Sequence, residues 1–212
     1  YGIPFLRKKL NAVAGKKLYQ TFGGHLKFFG IGGAKLNKSV ERFLLEAKFP
    51  YAIGYGLTET SPLLAGANPS KSVFDSTGPA IEDIELIIND PDPKTGEGEI
   101  WARGATIMKG YYKEPELTSQ VLTHDGWFKT GDLGVFDAKG NLYIKGRLKN
   151  MILGSSGENI YPEEIESVIN NFRFVVESLV IQQKGKLVAY VHMNMEELEK
   201  KYQNLKDDMT RQ

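Results

Sequence analysis

The sequence predicts an α/β chain: a parallel βαβ portion, a small antiparallel β sheet or barrel subdomain, then part of a small α+β C-terminal domain. Three observations predict it. Two short apolar strand patterns flank a helical one within about 30 residues near the start, the signature of a βαβ unit. Several short strand patterns separated by turn residues crowd the middle. A helix opened by Pro162 and followed by a hairpin pattern occupies the last quarter.

Each element has its own signal. Leu6, Leu10, Val13, Leu18 and Phe22 form an imperfect helical stripe, closed by Gly23 and Gly24. "LKFFGI" (26–31) reads as a buried strand running into Gly32 and Gly33. Val40, Phe43, Leu44 and Ala47 have helical spacing, and "YAIGY" (51–55) is a second strand. "IELIIND" and "GEIWARG" flank the turn-rich "PDPKTGEG" as a hairpin. "TIMKGYY" reads as a further strand and "PELTSQVL" as a short helix. "GDLGVFDAKGNLYIKGR" is a hairpin turning at "DAKG". "MILGSSGENIYP" gives a short strand and a glycine- and serine-rich loop. In the following helix Glu163 and Glu164 suit the N-terminal dipole, and Ile165, Val168, Ile169 and Phe172 line one face. "ESLVIQQKGKLVAYVHM" is a hairpin, and a charged helical pattern ends the chain. The texture changes near Lys149, where a domain boundary is expected.

Composition excludes several function classes. The 212 residues are 41% hydrophobic, enough for a sizeable core. Lys and Arg number 27 against 26 Asp and Glu, which leaves no electrostatic case for nucleic acid. Without cysteine there is no disulfide, thiolate metal site or cysteine nucleophile. His25, His124 and His192 lie far apart and show no metal-ligand spacing. No apolar run approaches the length of a membrane span. The chain begins at Tyr1 inside a helical pattern and stops in another, so it reads as an internal fragment of a longer protein.

Parallel sheets bind ligands beyond the carboxyl ends of their strands. Here those ends carry "GGA" (32–34) and "YGLTETSP" (55–62). In the second stretch Gly56 permits close backbone approach, and Tyr55 offers a flat face for a base. The Thr58 and Thr60 hydroxyls suit phosphate oxygens, and Glu59 suits Mg²⁺, which takes one or two carboxylates plus phosphates. Taken alone, a polar loop closing a strand accounts for the stretch equally well. Asp132 in "KTGDLG" could accept from both hydroxyls of a ribose, and Arg147 in "YIKGRLKN" could hold phosphate or ribose oxygens. A solvated aspartate and a surface arginine are the plainer readings of each by itself.

The ordered set "GGA", "YGLTETSP", "GEIWARGATIMKGYY", "DGWFKTGDLG", "IKGRLKNMI" and "GSSGENIYPEEIE" resembles the successive motifs of the adenylate-forming family, which includes acyl-CoA synthetases, luciferases and peptide-synthetase adenylation domains. The resemblance implies that Gly32, Gly33 and Ala34 border an adenine on which Tyr55 stacks, beside Gly56. It implies that Thr58 binds the α-phosphate, Glu59 coordinates Mg²⁺, and Asp132 holds the ribose with help from Arg147. Lys149 falls at the family's hinge, and Gly154, Ser155, Ser156 and Gly157 would border the channel for coenzyme A. Residues 1–148 would be the C-terminal part of the large AMP-binding domain, with 1–72 the βαβ portion and 73–148 the β-rich one. Residues 149–212 would begin the small mobile domain.

The implied substrates are ATP, coenzyme A and a carboxylic acid, with AMP as product and Mg²⁺ as cofactor. "IKGRLKNMILGSSGENIYPEEIE" and "GIGGAKLNKSVERFL" are most similar to the long-chain fatty-acid–CoA ligases. Two other readings stay open: an enzyme activating aryl or amino acids, and a non-catalytic nucleotide-binding module. The implied setting is the cytoplasm, with room for peripheral membrane contact. The family's phosphate loop and its late lysine match nothing within these residues, and Lys184 and Lys186 sit in a hairpin turn without that lysine's context. The isolated piece is therefore expected to be inactive.

Overall fold

The computed structural model of the chain describes residues 4–154 and 156–210. They divide into two compact units, Tyr1–Ile144 and Lys145–Gln212.

The first unit begins with α1 (Pro4–Thr21), β1 (Phe29–Ile31), α2 (Lys38–Glu46), β2 (Tyr51–Gly56) and β3 (Leu63–Gly66). β1 and β2 run parallel, with Phe29 opposite Tyr51 and Ile31 opposite Ile53, so the predicted βαβ unit is present. β3 was not legible as a strand, yet it folds back antiparallel on β2. α2 starts where the Asn37 side chain accepts the Ser39 N–H, which satisfies a donor the helix leaves unpaired. The helix presents Leu44 to Phe49 and Tyr51, and Leu18, Tyr19, Phe29 and Ile31 pack around this cluster. The predicted 26–31 strand shrinks to Phe29–Ile31, because the Leu26 carbonyl instead accepts the Tyr19 hydroxyl at 2.9 Å.

The buried face of α1 also differs from the expected stripe. Leu6, Leu10, Val13 and Phe22 are all exposed. The helix meets α2 through Gly15, which faces Ala47. It is further held by Arg7, whose guanidinium pairs with Glu46 through both Nε and Nη2. A small residue and a polar fork make this contact, and of the expected stripe only Leu18 and the Phe22 ring reach the core, against the Phe29 and Phe49 side of the cluster.

Four strands follow: β4 (Ile84–Asn89), β5 (Gly98–Gly104), β6 (Phe128–Phe136) and β7 (Leu142–Arg147), in the order β4-β5-β6-β7. The two predicted hairpins are β4–β5 and β6–β7. This sheet is open, and the barrel alternative falls away. Closure would need β7 to pair with β4, but Thr77 and Gly78 bond the Leu142 backbone instead. The same segment reaches β3, since the Gly66 N–H donates to the Pro79 carbonyl and Ile81 N–H to Leu64. Residues 76–81 therefore stitch the two sheets together. Leu64, Ala65, Ile100, Ala102 and Leu142 are fully buried around that seam.

"TIMKGYY" is not a strand. Residues 106–112 form turns leading into α3 (Pro115–Val121), because Gly110 has φ +140° and the Met108 N–H is taken by the Glu59 carbonyl. The β-branched and aromatic content of the segment mimicked a strand.

The second unit holds β8 (Ile152–Leu153), β9 (Asn159–Ile160), α4 (Pro162–Ile169), β10 (Val175–Gln183), β11 (Lys186–Met193) and α5 (Met195–Thr210). β10 and β11 form the expected hairpin, turning at Lys184 and Gly185, both with positive φ. α4 is tied to β10 where Glu166 accepts the Val180 N–H at 2.7 Å. Val168 and Phe172 of the predicted α4 stripe are exposed, whereas Ile165 and Ile169 are half-buried.

Candidate functional site

The site grows from the end of β2. The chain leaves Gly56, makes one 3-10 turn over Thr58–Thr60, passes Ser61 in the left-handed region and returns as β3. Gly56 is needed by the loop itself, because a Cβ there would fall 1.6 Å from the Pro62 carbonyl oxygen. Thr60 corrects an expectation. It is fully buried, and its hydroxyl accepts the Leu57 N–H at 2.9 Å and lies within 2.9 and 2.7 Å of the Leu57 and Pro62 carbonyls. Its hydroxyl bonds its own loop, so phosphate is not its partner. Thr58 stays exposed and Glu59 half-exposed on the same turn.

Glu59 is held at two points. Its carbonyl accepts the Met108 N–H at 2.8 Å, and its carboxylate Oε1 accepts the Tyr111 hydroxyl at 3.0 Å. Neither partner was singled out from sequence. The usable signal was Gly110, whose place inside an apparent strand argued for a bend.

Tyr55 links two distant segments. Its hydroxyl donates to Asp132 Oδ2 at 2.7 Å, and its ring packs against the Leu64–Ile84–Ala102 and Ala65–Ile100–Leu142 clusters. Asp132 is only 5% exposed. It sits opposite a register shift between Glu99 and Trp101, and such an irregularity lets a side chain leave the ladder. The shift is fastened locally: Thr130 donates to the Ile100 carbonyl at 2.7 Å, and the Gly131 N–H donates to Glu99 Oε1 at 3.1 Å. Beside β2 lies a cavity of about 660 Å³, within the range of about 300–1,000 Å³ usual for small-molecule sites. Gly32, Gly33, Tyr55 and Gly56 all line it, with Gly30, Gly54 and Gly66 adding backbone to the wall.

The cavity thus lies where a parallel strand pair ends, beside a tyrosine bound to a buried aspartate and near a half-exposed glutamate on the following turn. The model of the AMP-binding enzyme family matches residues 1–112. The chain belongs to that family.

Several similar proteins are named as long-chain-fatty-acid–CoA ligases. Long-chain-fatty-acid–CoA ligase 1 of Saccharomyces cerevisiae is 35% identical over 81% of the chain and 25% of the relative. The heimdall long-chain-fatty-acid–CoA ligase of Drosophila melanogaster is 40% identical over 68% of the chain and 21% of the relative. Among solved structures, ATP-bound MatB from Rhodopseudomonas palustris superposes with a TM-score of 0.71 at 31% identity, over 87% of this chain and 40% of that one. O-succinylbenzoate CoA synthetase from Bacillus subtilis, solved with its acyl-adenylate, gives 0.71 at 29% identity, over 86% and 42%. The chain thus spans about a quarter of the length of the curated relatives it matches.

The B. subtilis synthetase has also been solved with ATP and a magnesium ion. The donors here fit such an ion. Glu59 brings a carboxylate with Oε1 fixed by Tyr111 and Oε2 as a second acceptor, beside the Thr58 hydroxyl. Among the described residues no three His, Asp or Glu side chains cluster, so the protein would supply one carboxylate and the nucleotide the phosphate oxygens.

The structure does not bring every expected residue into this group. Ala34 is exposed and, like Thr58, Glu59 and Asp132, is absent from the cavity wall. Arg147, Lys149, Gly154, Ser156 and Gly157 belong to the second unit, and Ser155 lies outside the described residues. Arg147 ends β7 as an exposed side chain, and Lys149 sits exposed in a 3-10 turn, Leu148–Asn150. Asn150 donates to Glu163 at 2.6 Å. In the glycine loop the Gly154 N–H donates to the Glu158 carbonyl, the Gly157 N–H to the Gly154 carbonyl, and Ser156 bonds the Glu158 carboxylate.

Proposed function

We propose that this chain is part of an ATP-dependent, AMP-forming long-chain fatty-acid–CoA ligase. The observation that carries the reading is the 2.7 Å Tyr55–Asp132 bond beside the glycine-walled cavity. It brings an aromatic side chain and a buried carboxylate into contact although 77 residues separate them in sequence, which supports reading them as the base and ribose contacts of one nucleotide. The fatty-acid assignment rests on the curated relatives, several of which are named long-chain-fatty-acid–CoA ligases.

In this reading Gly32 and Gly33 border the adenine, Tyr55 stacks on it above Gly56, and Asp132 accepts from the ribose hydroxyls. Thr58 donates to the α-phosphate and Glu59 holds Mg²⁺. The ion, when bound, offsets the charge of the phosphates. A fatty-acid carboxylate oxygen attacks the α-phosphorus, the bond to the bridging oxygen breaks, and pyrophosphate leaves. The sulfur of coenzyme A then attacks the acyl carbon, AMP departs with the electron pair of the C–O bond, and the thiol proton goes to solvent. The residues described here contribute by positioning and by charge. Residues 1–148 would be the C-terminal part of the large domain. Residues 149–212 would begin a small domain that turns at Lys149, with Gly154, Ser155, Ser156 and Gly157 along the coenzyme A channel.

The test is pyrophosphate exchange by the whole protein with a panel of acids. Palmitate is expected to exceed aryl and amino acids, and coenzyme A to discharge the adenylate. A preference for an aryl acid would favour the alternative that the O-succinylbenzoate synthetase likeness supports. Absence of exchange with every acid would overturn the ligase reading. Among the described residues no helix is long and apolar enough to cross a membrane. Relatives include chloroplastic and peroxisomal proteins, so fractionation of the whole protein decides the cytoplasmic assignment.

A further inference from the structure

The geometry points to Tyr111 as the residue that positions Glu59 for its cation, a proposal that rests on the Mg²⁺ role given to Glu59 above. A glutamate on a short turn has three rotatable side-chain bonds of its own. A metal site needs that freedom removed, and hydrogen bonds to the ligating group remove it. Here the Tyr111 hydroxyl fixes Oε1 at 3.0 Å, while the Met108 N–H pins the Glu59 carbonyl at 2.8 Å. Side chain and backbone of one glutamate are thus gripped by one loop, residues 108–111.

That loop is itself built to hold the phenol still. The Tyr111 N–H donates to Thr118 Oγ1 at 2.9 Å, and the Tyr111 carbonyl accepts the Glu114 N–H at 3.1 Å. The Thr118 hydroxyl donates in turn to the Glu114 carbonyl at 2.8 Å. Gly110 makes the approach possible: its φ is +140°, and a Cβ would fall 2.7 Å from the Thr118 methyl.

The next residue supplies an internal control. Tyr112 is 86% exposed and meets only the Lys113 ammonium, 5.3 Å from its ring centre, among the polar and ring contacts described. Two adjacent tyrosines therefore have opposite predicted roles.

The experiment is a Mg²⁺ titration of pyrophosphate exchange by the whole protein, with Tm measured alongside. Tyr111→Phe is expected to raise the half-saturating Mg²⁺ concentration about tenfold, with the rate recovering at saturating Mg²⁺ and Tm unchanged. Tyr112→Phe is expected to match the wild type. Impairment of Glu59→Gln together with a wild-type Mg²⁺ requirement in Tyr111→Phe overturns the positioning role and leaves the ligase reading intact. So does a Tyr111→Phe loss that Mg²⁺ cannot restore and that comes with a lowered Tm. An equal shift in Tyr111→Phe and Tyr112→Phe also overturns it. A wild-type Glu59→Gln overturns the Mg²⁺ role of Glu59 itself.

Discussion

Among the described residues of the first unit, the Glu41–Tyr51 and Glu59–Tyr111 pairs differ in one respect. Tyr51 donates to Glu41 at 3.2 Å, and Tyr111 donates to Glu59 at 3.0 Å. Glu41 and Tyr51 are 1% and 2% exposed, whereas Tyr111 is 37% exposed. The bond is the same, but burial assigns it different work. Around Glu41 the partners are internal: the Tyr51 hydroxyl and the Asp75 N–H both reach Oε1, and Lys38 pairs with Asp75 at 2.7 Å. This pair ties α2 to β2 and to the loop at Asp75. Around Glu59 the carboxylate is gripped from one side and left open on the other. A buried charge must be satisfied within the protein, while a half-exposed one can be kept for a ligand.

Substitution at the two glutamates should separate activity from stability. Glu59→Gln is expected to lower kcat/KM for pyrophosphate exchange on the order of a thousandfold, the scale of losing a cation's charge stabilisation. Glu41→Gln should leave exchange unchanged, because the amide oxygen still accepts from Tyr51 and Asp75. Comparable losses in both would erase the distinction. Removing the acceptor is the next effect in size. Glu41→Ala orphans the Tyr51 hydroxyl and the Asp75 N–H in a buried place, at a cost of about 2–3 kcal/mol. Denaturant unfolding of the whole protein checks it, and Glu59→Ala should change stability far less.

This contrast was only half legible in the sequence. The βαβ unit, both hairpins of the open sheet and the strand end at "YGLTETSP" follow from periodicity and turn residues. Gly32, Gly33, Tyr55 and Gly56 were placed at one crevice by the same argument, and they line one cavity. Thr60 shows the limit. Whether a threonine hydroxyl faces a ligand or its own loop depends on the close Gly56–Pro62 approach, which no spacing rule reports. Tyr111 was hidden for a related reason: "TIMKGYY" has strand composition, and its fold is decided by bonds to Glu59 and Thr118. β3 escaped because four residues of Leu, Ala and Gly carry little pattern. Nothing local marked Glu41 as buried, since its partners at Tyr51 and Asp75 come from separate segments.

The smallest expected effect is a pH slope contributed by the buried pair. Burial pushes the Glu41 carboxyl above its ordinary value of 4.5, against the lowering pull of the Asp75 N–H and the Tyr51 hydroxyl. Tyr51 is raised as well, first by its own burial and then by Glu41. A carboxyl whose pKa is higher folded than unfolded binds more protons in the folded state between the two values. Stability from this group is therefore greatest in acid and declines as pH rises from about 4.5 towards the raised folded value, then levels off. Glu41→Gln has no proton to exchange, so its unfolding free energy should lack that decline while the other carboxylates keep theirs. The Glu46, Glu85 and Asp137 carboxyls are shifted downwards by hydrogen-bonding partners, Arg7, Arg103 and Asn141 first. They act in the opposite sense, losing stability as pH falls. The comparison must therefore be the difference between wild type and Glu41→Gln across pH 4–7, not either curve alone. A difference that is flat across that window would mean Glu41 titrates as an ordinary solvated carboxyl, and the division of labour between the two pairs would lose its electrostatic basis.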